Sequence, residues 1–179
     1  MIPEFPKFKR IELSDKKEIE KIINKYPPYS DFNFISLWTW DTKNQVLISI
    51  LNKNLAVLFT DYLTGKQFCS FFGNNAVKET IESLLKFSKS NKLKPVLKLV
   101  PDEFINPEMR YCFDVRPDPD SYDYVYAVSH LSNMHNWPQH SSGKNVRNYS
   151  RINPNYVIKF CSVKEAEKDE YIKIFKKWA

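Results

Sequence analysis

The chain has 179 residues, of which 42% are hydrophobic and 27% charged, the ordinary composition of a globular protein. Its net charge of +6 makes nucleic acid and anionic lipid compatible partners, although a lysine-rich protein can carry such an excess without using it. The N-terminus lacks the apolar core of a signal peptide, and no run approaches the roughly 18 apolar residues that a membrane span needs.

The first predicted elements are a strand and two helices. Alternating residues over Phe8–Leu13 predict a short strand, and Ser14 is the expected cap of a helix that ends before Pro27. The spacing of Phe34, Leu37 and Trp38 favours a second helix over Asp31–Trp40.

Three strands and a long helix follow. The turn residues Asn52-Lys53-Asn54 and Thr64-Gly65-Lys66 separate three apolar runs and predict an antiparallel meander. Its strands are expected at Gln45–Leu51, Leu55–Tyr62 and Gln67–Phe72. A helix then begins at Asn74 or Asn75, because apolar residues recur at helical spacing after it.

The remaining pattern predicts a strand, a short helix and two strands, and then the opening of a second copy of the same order. These elements are Pro95–Val100, Pro101–Met109, Tyr111–Val115 and Tyr122–Val128, then a helix over Ser142–Ile152, a strand over Tyr156–Val163 and a helix over Lys164–Trp178. We therefore expect a first domain at residues 1–130, a linker at 131–141 and the beginning of a second, truncated domain at 142–179. The predicted fold class is α/β, or more narrowly α+β: a mostly antiparallel mixed sheet with helices on both faces.

This order of elements resembles the GNAT acyltransferase fold. Three stretches resemble, more narrowly, the aminoacyl-transferring domain of phosphatidylglycerol lysyltransferases, a tandem of two GNAT-like units. They are Tyr26–Asp31 leading into Phe34…Trp40, then Tyr122-Asp123-Tyr124-Val125-Tyr126, and then Gly143-Lys144…Arg147-Asn148. The resemblance implies transfer of an amino acid from aminoacyl-tRNA to a lipid or another acceptor. It also implies that this chain is inactive alone, and that the missing part of the second domain or a partner chain covers Phe175 and Trp178.

The candidate binding site is a basic stripe on the predicted helix Ser142–Ile152. Lys144, Arg147 and Arg151 fall at i, i+3 and i+7, so they share one helix face. Asn148 joins them through the resemblance. Such a stripe can neutralise phosphates of tRNA or of anionic lipid headgroups, which would place the protein at a membrane surface without a transmembrane segment. A solvated helix face with no ligand is the alternative.

A second candidate is a degenerate anion loop at Gly73, Asn74 and Asn75, between the meander and the long helix. An acyltransferase that uses coenzyme A needs glycine-rich backbone here, so that amides can approach a pyrophosphate. The single glycine makes a CoA-dependent N-acyltransferase the weaker alternative. A non-catalytic GNAT-like scaffold or binding module is the other alternative, because no base or nucleophile can be assigned.

No metal or cofactor is expected. His130, His135 and His140 recur every five residues around Pro138, which does not give metal-ligand spacing, and transfer from an activated ester needs none. The three cysteines, Cys69, Cys112 and Cys161, are isolated, which favours free buried thiols in a reducing compartment. The predicted location is therefore cytoplasmic, or peripheral to a membrane.

Overall fold

A computed structural model describes residues 1–39, 46–61, 63–132, 141–155, 157 and 168–178. The chain divides into two compact units, residues 1–123 and residues 124–179. The sequence-based division at residues 130 and 141 remains a prediction, and most of the predicted linker lies outside the described residues.

The described residues of the first unit form four strands and four helices. The strands are β1 (Lys9–Arg10), β2 (Leu47–Leu51), β3 (Asn54–Thr60) and β4 (Gln67–Phe72), and the helices are α1 (Lys16–Ile23), α2 (Phe34–Thr39), α3 (Val77–Ser90) and α4 (Pro107–Cys112). Short 3₁₀ turns lie at Leu13–Asp15, Ser30–Phe32, Asp102–Phe104 and Pro119–Ser121. The mixture of helix and strand agrees with the predicted α+β class.

The sheet is an antiparallel meander in the order β1-β2-β3-β4. Ile48 pairs with Val57, and Leu55 pairs with Phe72, so these side chains share one face. Asn52 and Lys53 connect β2 to β3 with φ values of 52° and 65°. Positive φ at both turn residues matches the twist of a two-residue hairpin, which is why the chain reverses here.

Helices cover both faces of this sheet. On one face, Ile48, Leu55, Val57 and Phe72 pack with residues of α1 and α2, among them Ile19. On the other face, Ala56, Leu58, Cys69 and Phe71 pack with residues of α3 and α4. Because successive side chains of a strand point to opposite faces, the sheet contributes apolar residues to two cores, one on each side.

Three predicted strands are wrong. Residues 95–100 form no ladder beside β4; their strand-like pairing is limited to an isolated parallel bridge between Leu97 and Cys69. Pro95 has no amide hydrogen to donate, and Leu99 has a φ of 58°, so this backbone does not continue the pairing. In Tyr111–Val115, the first two residues instead complete α4, which Asn106 caps by accepting a hydrogen bond from the Met109 amide.

The third wrong prediction is the strand at Tyr122–Val128. Residues 122–127 belong to no ladder among the described residues, and helix α5 begins at Val128. This stretch follows two prolines, Pro117 and Pro119, and a 3₁₀ turn over Pro119–Ser121. Its run of tyrosine and valine has the propensity of a strand, but propensity alone does not supply a partner.

The second unit contains α5 (Val128–Ser132), α6 (Ser141–Ile152) and α7 (Lys168–Trp178). Helix α6 confirms the predicted helix Ser142–Ile152, and α7 covers most of the helix predicted at Lys164–Trp178. The predicted strand Tyr156–Val163 lies, except for Val157, outside the described residues, as do the side chains of Phe175 and Trp178. In the described part of the chain, no helix combines the length and apolarity needed to cross a membrane.

Candidate functional site

The basic stripe lies on the surface of α6. Lys144, Arg147, Asn148 and Arg151 are all exposed, and the first turn of the helix carries no acidic residue. Since α6 is helical throughout Ser141–Ile152, the i, i+3, i+7 spacing does place the three cations along one side of it. The stripe therefore exists as a surface feature that a polyanion could contact.

The excess of positive charge lies in the second unit, which contains this stripe. Residues 124–179 carry nine Lys and Arg against four Asp and Glu, whereas residues 1–123 carry 18 against 17. Moreover, the 41 residues from Tyr124 to Lys164 contain five Lys and Arg and no Asp or Glu. An anionic ligand would meet no repelling carboxylate from this stretch.

The second candidate, the loop at Gly73, Asn74 and Asn75, is held by the protein itself. The Asn74 amide donates to the Tyr26 hydroxyl (3.2 Å) and the Asn75 amide donates to Asn54 Oδ1 (3.0 Å). Asn54 Nδ2 in turn donates to the Asn75 carbonyl oxygen (2.6 Å). Two of the amides that an anion would use are thus directed to acceptors of the protein.

Glycine at position 73 is required by the packing of the loop. Its φ is 134°, and a Cβ at this position would lie 2.4 Å from Asn54 Oδ1. Glycine is therefore needed so that the loop can pass close to the buried Asn54 side chain. The need for glycine here comes from this approach and does not require a bound phosphate.

A cleft of about 1110 Å³ lies in the first unit, and no residue of it belongs to the predicted site. The segment 95–102 forms one wall, residues 113–118 form another, and Tyr29, Asp31 and Asp123 lie at the same cleft. Its apolar lining includes Phe32, Ile81, Leu85, Val100, Ile105 and Phe113.

Two carboxyl groups approach each other at this cleft. Asp123 accepts hydrogen bonds from the Ser30 hydroxyl and from the Ser30 amide, the latter at 3.1 Å. These bonds tie it beside Asp31. Burial of Asp31, together with the negative charge of Asp123, raises the pKa of the Asp31 carboxyl above its usual value.

Tyr29 is the third polar group at this end of the cleft. Burial raises the pKa of its hydroxyl, and the nearby charges of Glu103, Asp102 and Asp123 raise it further. The ring is positioned by Phe72 of β4, whose centroid lies 5.8 Å away in an edge-to-face arrangement. Tyr29 therefore stays protonated and can donate a hydrogen bond at neutral pH.

The arginines of the cleft are already paired with acids. Arg110 forms an ion pair with Asp102, and Arg116 contacts Asp114 at 2.7 Å. Asp31 thus differs from Asp114: the pKa of the Asp31 carboxyl is raised, whereas that of Asp114 is lowered because Arg116 bonds to it. A carboxyl group of this kind can accept a proton near neutral pH more readily than an ordinary one.

Sequence reasoning missed this group of residues. Asp31 lies at the start of a predicted helix and Asp123 lies within a predicted strand, and neither position by itself indicates a functional group. The available signal was that Ser30-Asp31 and Asp123 both fall in stretches that carry the family resemblance, but Ser30 and Asp123 are 93 residues apart. No sequence pattern links residues at that distance.

Among the described residues, no three His, Cys, Asp or Glu side chains are arranged to hold a metal ion. Cys69 is a buried free thiol as expected, but Cys112 is exposed, because it lies at the end of helix α4 rather than in a strand. Compared with known proteins, the chain matches no family model, no curated protein and no solved structure.

Proposed function

We propose that this chain is part of a GNAT-like aminoacyltransferase related to phosphatidylglycerol lysyltransferases, and that its second unit holds the phosphates of aminoacyl-tRNA. The reaction would move an amino acid from its tRNA ester to an amine or hydroxyl group of a lipid or another acceptor. The ester is already activated, so the protein has to position the reactants and accept a proton.

The observation that carries the proposal is the exposed stripe of Lys144, Arg147 and Arg151 on α6, within a stretch of 41 residues that has no carboxylate. A polyanion gains from each contact by releasing counterions, and nearby acidic groups would reduce that gain. The distribution of charge supports binding by the second unit better than binding by the nearly neutral first unit.

The order of elements gives further support. A strand, two helices, a three-stranded meander and a long helix occupy residues 9–90, which is the first part of the order on which the resemblance rests; the three strands expected after the long helix do not form. After α3 the chain runs back beside β4, where Leu97 forms a bridge with Cys69, and the cleft lies next to this segment. In this proposal Asp31 is the proton acceptor, since its raised pKa suits that task.

A non-catalytic binding module is the second candidate. The backbone amides of Asn74 and Asn75 donate to Tyr26 and Asn54, so neither of these amides is directed towards a cofactor phosphate. The same observation makes a CoA-dependent N-acyltransferase the least supported alternative. A binding module and an aminoacyltransferase both require the α6 stripe to bind, and they differ in whether Asp31 matters for transfer.

The test is equilibrium binding of unfractionated tRNA to the full chain at about 0.1 M salt. The variant Lys144→Ala/Arg147→Ala/Arg151→Ala should bind at least about tenfold more weakly, because three phosphate contacts are lost. The matched control, Lys86→Ala/Lys89→Ala/Lys92→Ala, removes the same charge from exposed positions of the first unit and should bind like the unaltered protein. Equal losses in both variants would mean that net charge, not the stripe, is responsible.

A parallel titration with phosphatidylglycerol vesicles separates the two polyanions. Weaker tRNA binding with unchanged vesicle binding in the α6 variant supports the proposal as stated. A loss confined to the vesicles would assign the stripe to lipid headgroups and overturn the assignment to tRNA.

A further inference from the structure

The lining of the cleft in the first unit includes a half-buried carboxyl group that has no partner in the described part of the chain. Asp31 accepts no hydrogen bond and forms no ion pair there, and its electrostatic neighbour is Asp123, which carries the same charge. Partial burial of a carboxylate costs free energy unless a cation or a hydrogen-bond donor replaces the lost water. A bound cation would therefore lower the cost of burying Asp31.

Asp123 brings a second carboxylate to the same end of the cleft. It accepts hydrogen bonds from the hydroxyl and from the amide of Ser30, the latter at 3.1 Å. Both donors are uncharged, so they fix the position of Asp123 without neutralising it. Since Ser30 directly precedes Asp31 in the chain, one cation at this end of the cleft could interact with both carboxylates.

The cations that line the cleft are paired with other acidic residues. The pairs are Lys98 with Asp61 at 3.7 Å, Arg110 with Asp102, and Arg116 with Asp114 at 2.7 Å. Asp118, the remaining acidic residue of the lining, is exposed to water and accepts from the Ser121 hydroxyl at 3.0 Å. The described lining residues therefore leave the charges of Asp31 and Asp123 unbalanced.

Apolar side chains line the same cleft as these carboxylates. Phe32 follows Asp31 in the chain and is 2% exposed, and Val100, Ile105 and Phe113 also belong to the lining. With a volume of about 1110 Å³, the cleft has room for an organic molecule. Among the described residues no three His, Cys, Asp or Glu side chains could hold a metal ion, whereas apolar walls favour a ligand with hydrocarbon surface.

We infer that this cleft binds a small organic ammonium ion, with the charged nitrogen at Asp31 and Asp123 and the apolar body against the walls. A neutral molecule of the same shape would bury the same apolar area but would leave both carboxylates without a cation. The lining residues lie between positions 29 and 123, and the site uses neither a phosphate nor α6. The inference therefore goes beyond the proposed function and does not depend on tRNA binding.

The test compares two probes of the same shape, 2-phenylethylammonium and the neutral 2-phenylethanol. Each is titrated into the ¹⁵N-labelled full chain, and the amide signals of Ser30 and Phe32 are followed by NMR. The ammonium probe should bind at least about tenfold more tightly, because it alone can form charge-assisted hydrogen bonds with the two carboxylates. Equal binding of the two probes, or no shift of these signals with the ammonium probe, would overturn the inference.

Protein variants locate the effect. Asp31→Asn/Asp123→Asn keeps the size of both side chains and should bind the two probes equally. The matched control, Glu79→Gln/Glu82→Gln, removes the same charge from exposed positions of α3 and should keep the preference for the ammonium probe. Equal losses in both variants would assign the preference to net charge and overturn the site. The comparison of the two probes uses the unaltered protein, so it does not depend on the folding of any variant.

The outcomes separate this inference from the proposed function. If the unaltered protein binds both probes equally while the α6 variant loses affinity for tRNA, the cation site is wrong and polyanion binding by α6 stands. If the preference for the ammonium probe disappears in the asparagine variant while the α6 variant binds tRNA normally, the cation site stands and the proposed role of α6 is wrong.

Discussion

Replacing Asn54 with alanine should destabilise the protein by about 3 kcal/mol, because one buried amide holds the loop between β4 and α3. Asn54 Nδ2 donates to the Asn75 carbonyl oxygen at 2.6 Å and to Thr80 Oγ1 at 3.1 Å. Asn54 Oδ1 accepts from the Asn75 amide at 3.0 Å. These three hydrogen bonds at about 1 kcal/mol each give the expected loss, and a longer fourth bond from Asn75 Nδ2 to Asn54 Oδ1 (3.3 Å) and a residual cavity would add to it.

The assay is urea denaturation of the full chain followed by circular dichroism at 222 nm, with thermal unfolding as a second measure. A loss of about 3 kcal/mol should lower Tm by about 6–12 °C in a chain of this size. The control is Asn91→Ala at the other end of α3. The Asn91 side chain donates to the Phe87 carbonyl oxygen at 2.9 Å but is exposed, so water replaces the bond and the change should stay within about 0.5 kcal/mol.

The charged variant Asn54→Asp extends the same test. Aspartate keeps an acceptor for the Asn75 amide but, when ionised, cannot donate to the Asn75 carbonyl oxygen. Burial should raise the folded-state pKa of this carboxyl, so the variant should become more stable, relative to the unaltered protein, as the pH falls. A loss below about 1 kcal/mol in Asn54→Ala, or one equal to that of Asn91→Ala, would refute the role given to Asn54.

Two further predictions concern the same unit. Gly73→Ala should destabilise the protein by about 1–3 kcal/mol, because φ at this position is 134° and the new Cβ would meet Asn54 Oδ1. The double variant Gly73→Ala/Asn54→Ala should lose less stability than the sum of the losses in the two single variants, and strict additivity would contradict the contact. Asp31→Asn should gain stability relative to the unaltered protein as the pH rises from about 3.5 to 7. The raised pKa of Asp31 means that ionisation is disfavoured in the folded state; that penalty is absent below the unfolded pKa and complete above the folded one. Urea midpoints of both proteins across that pH range measure it, and a constant difference would show that Asp31 ionises freely.

The sheet and the longest helix could be predicted because their patterns are local. Alternation over β2, β3 and β4 specifies strands with two buried faces, and polar turn residues separate them. Helix α3 repeats apolar residues at helical spacing, and its buried Ile81 and Leu84 confirm the face that the pattern predicts. Such information is contained within a few neighbouring residues.

The segment after α3 could not be predicted in the same way. Residues 95–100 and 122–128 have the composition of strands, yet neither pairs in a ladder. Whether a strand forms depends on an available neighbour and on backbone angles such as the φ of 58° at Leu99, which composition does not specify.

The candidate sites show the same difference between local patterns and long-range contacts. The α6 stripe depends only on helical periodicity, so its residues could be named from the sequence. The approach of Asp31 and Asp123 depends on how two distant segments meet at Ser30. It is a tertiary feature, and only the structure places it.

The most direct test of polyanion binding by α6 is the salt dependence of tRNA affinity. The slope of log Kd against log salt counts the phosphate contacts, with each contact contributing about 0.7–0.9. Replacing Lys144, Arg147 and Arg151 with alanine should therefore reduce the slope by about 2–3, while the control variant Lys86→Ala/Lys89→Ala/Lys92→Ala leaves it unchanged. Equal slopes in the unaltered protein and the α6 variant would mean that these side chains touch no phosphate, and would contradict the proposed role of the second unit.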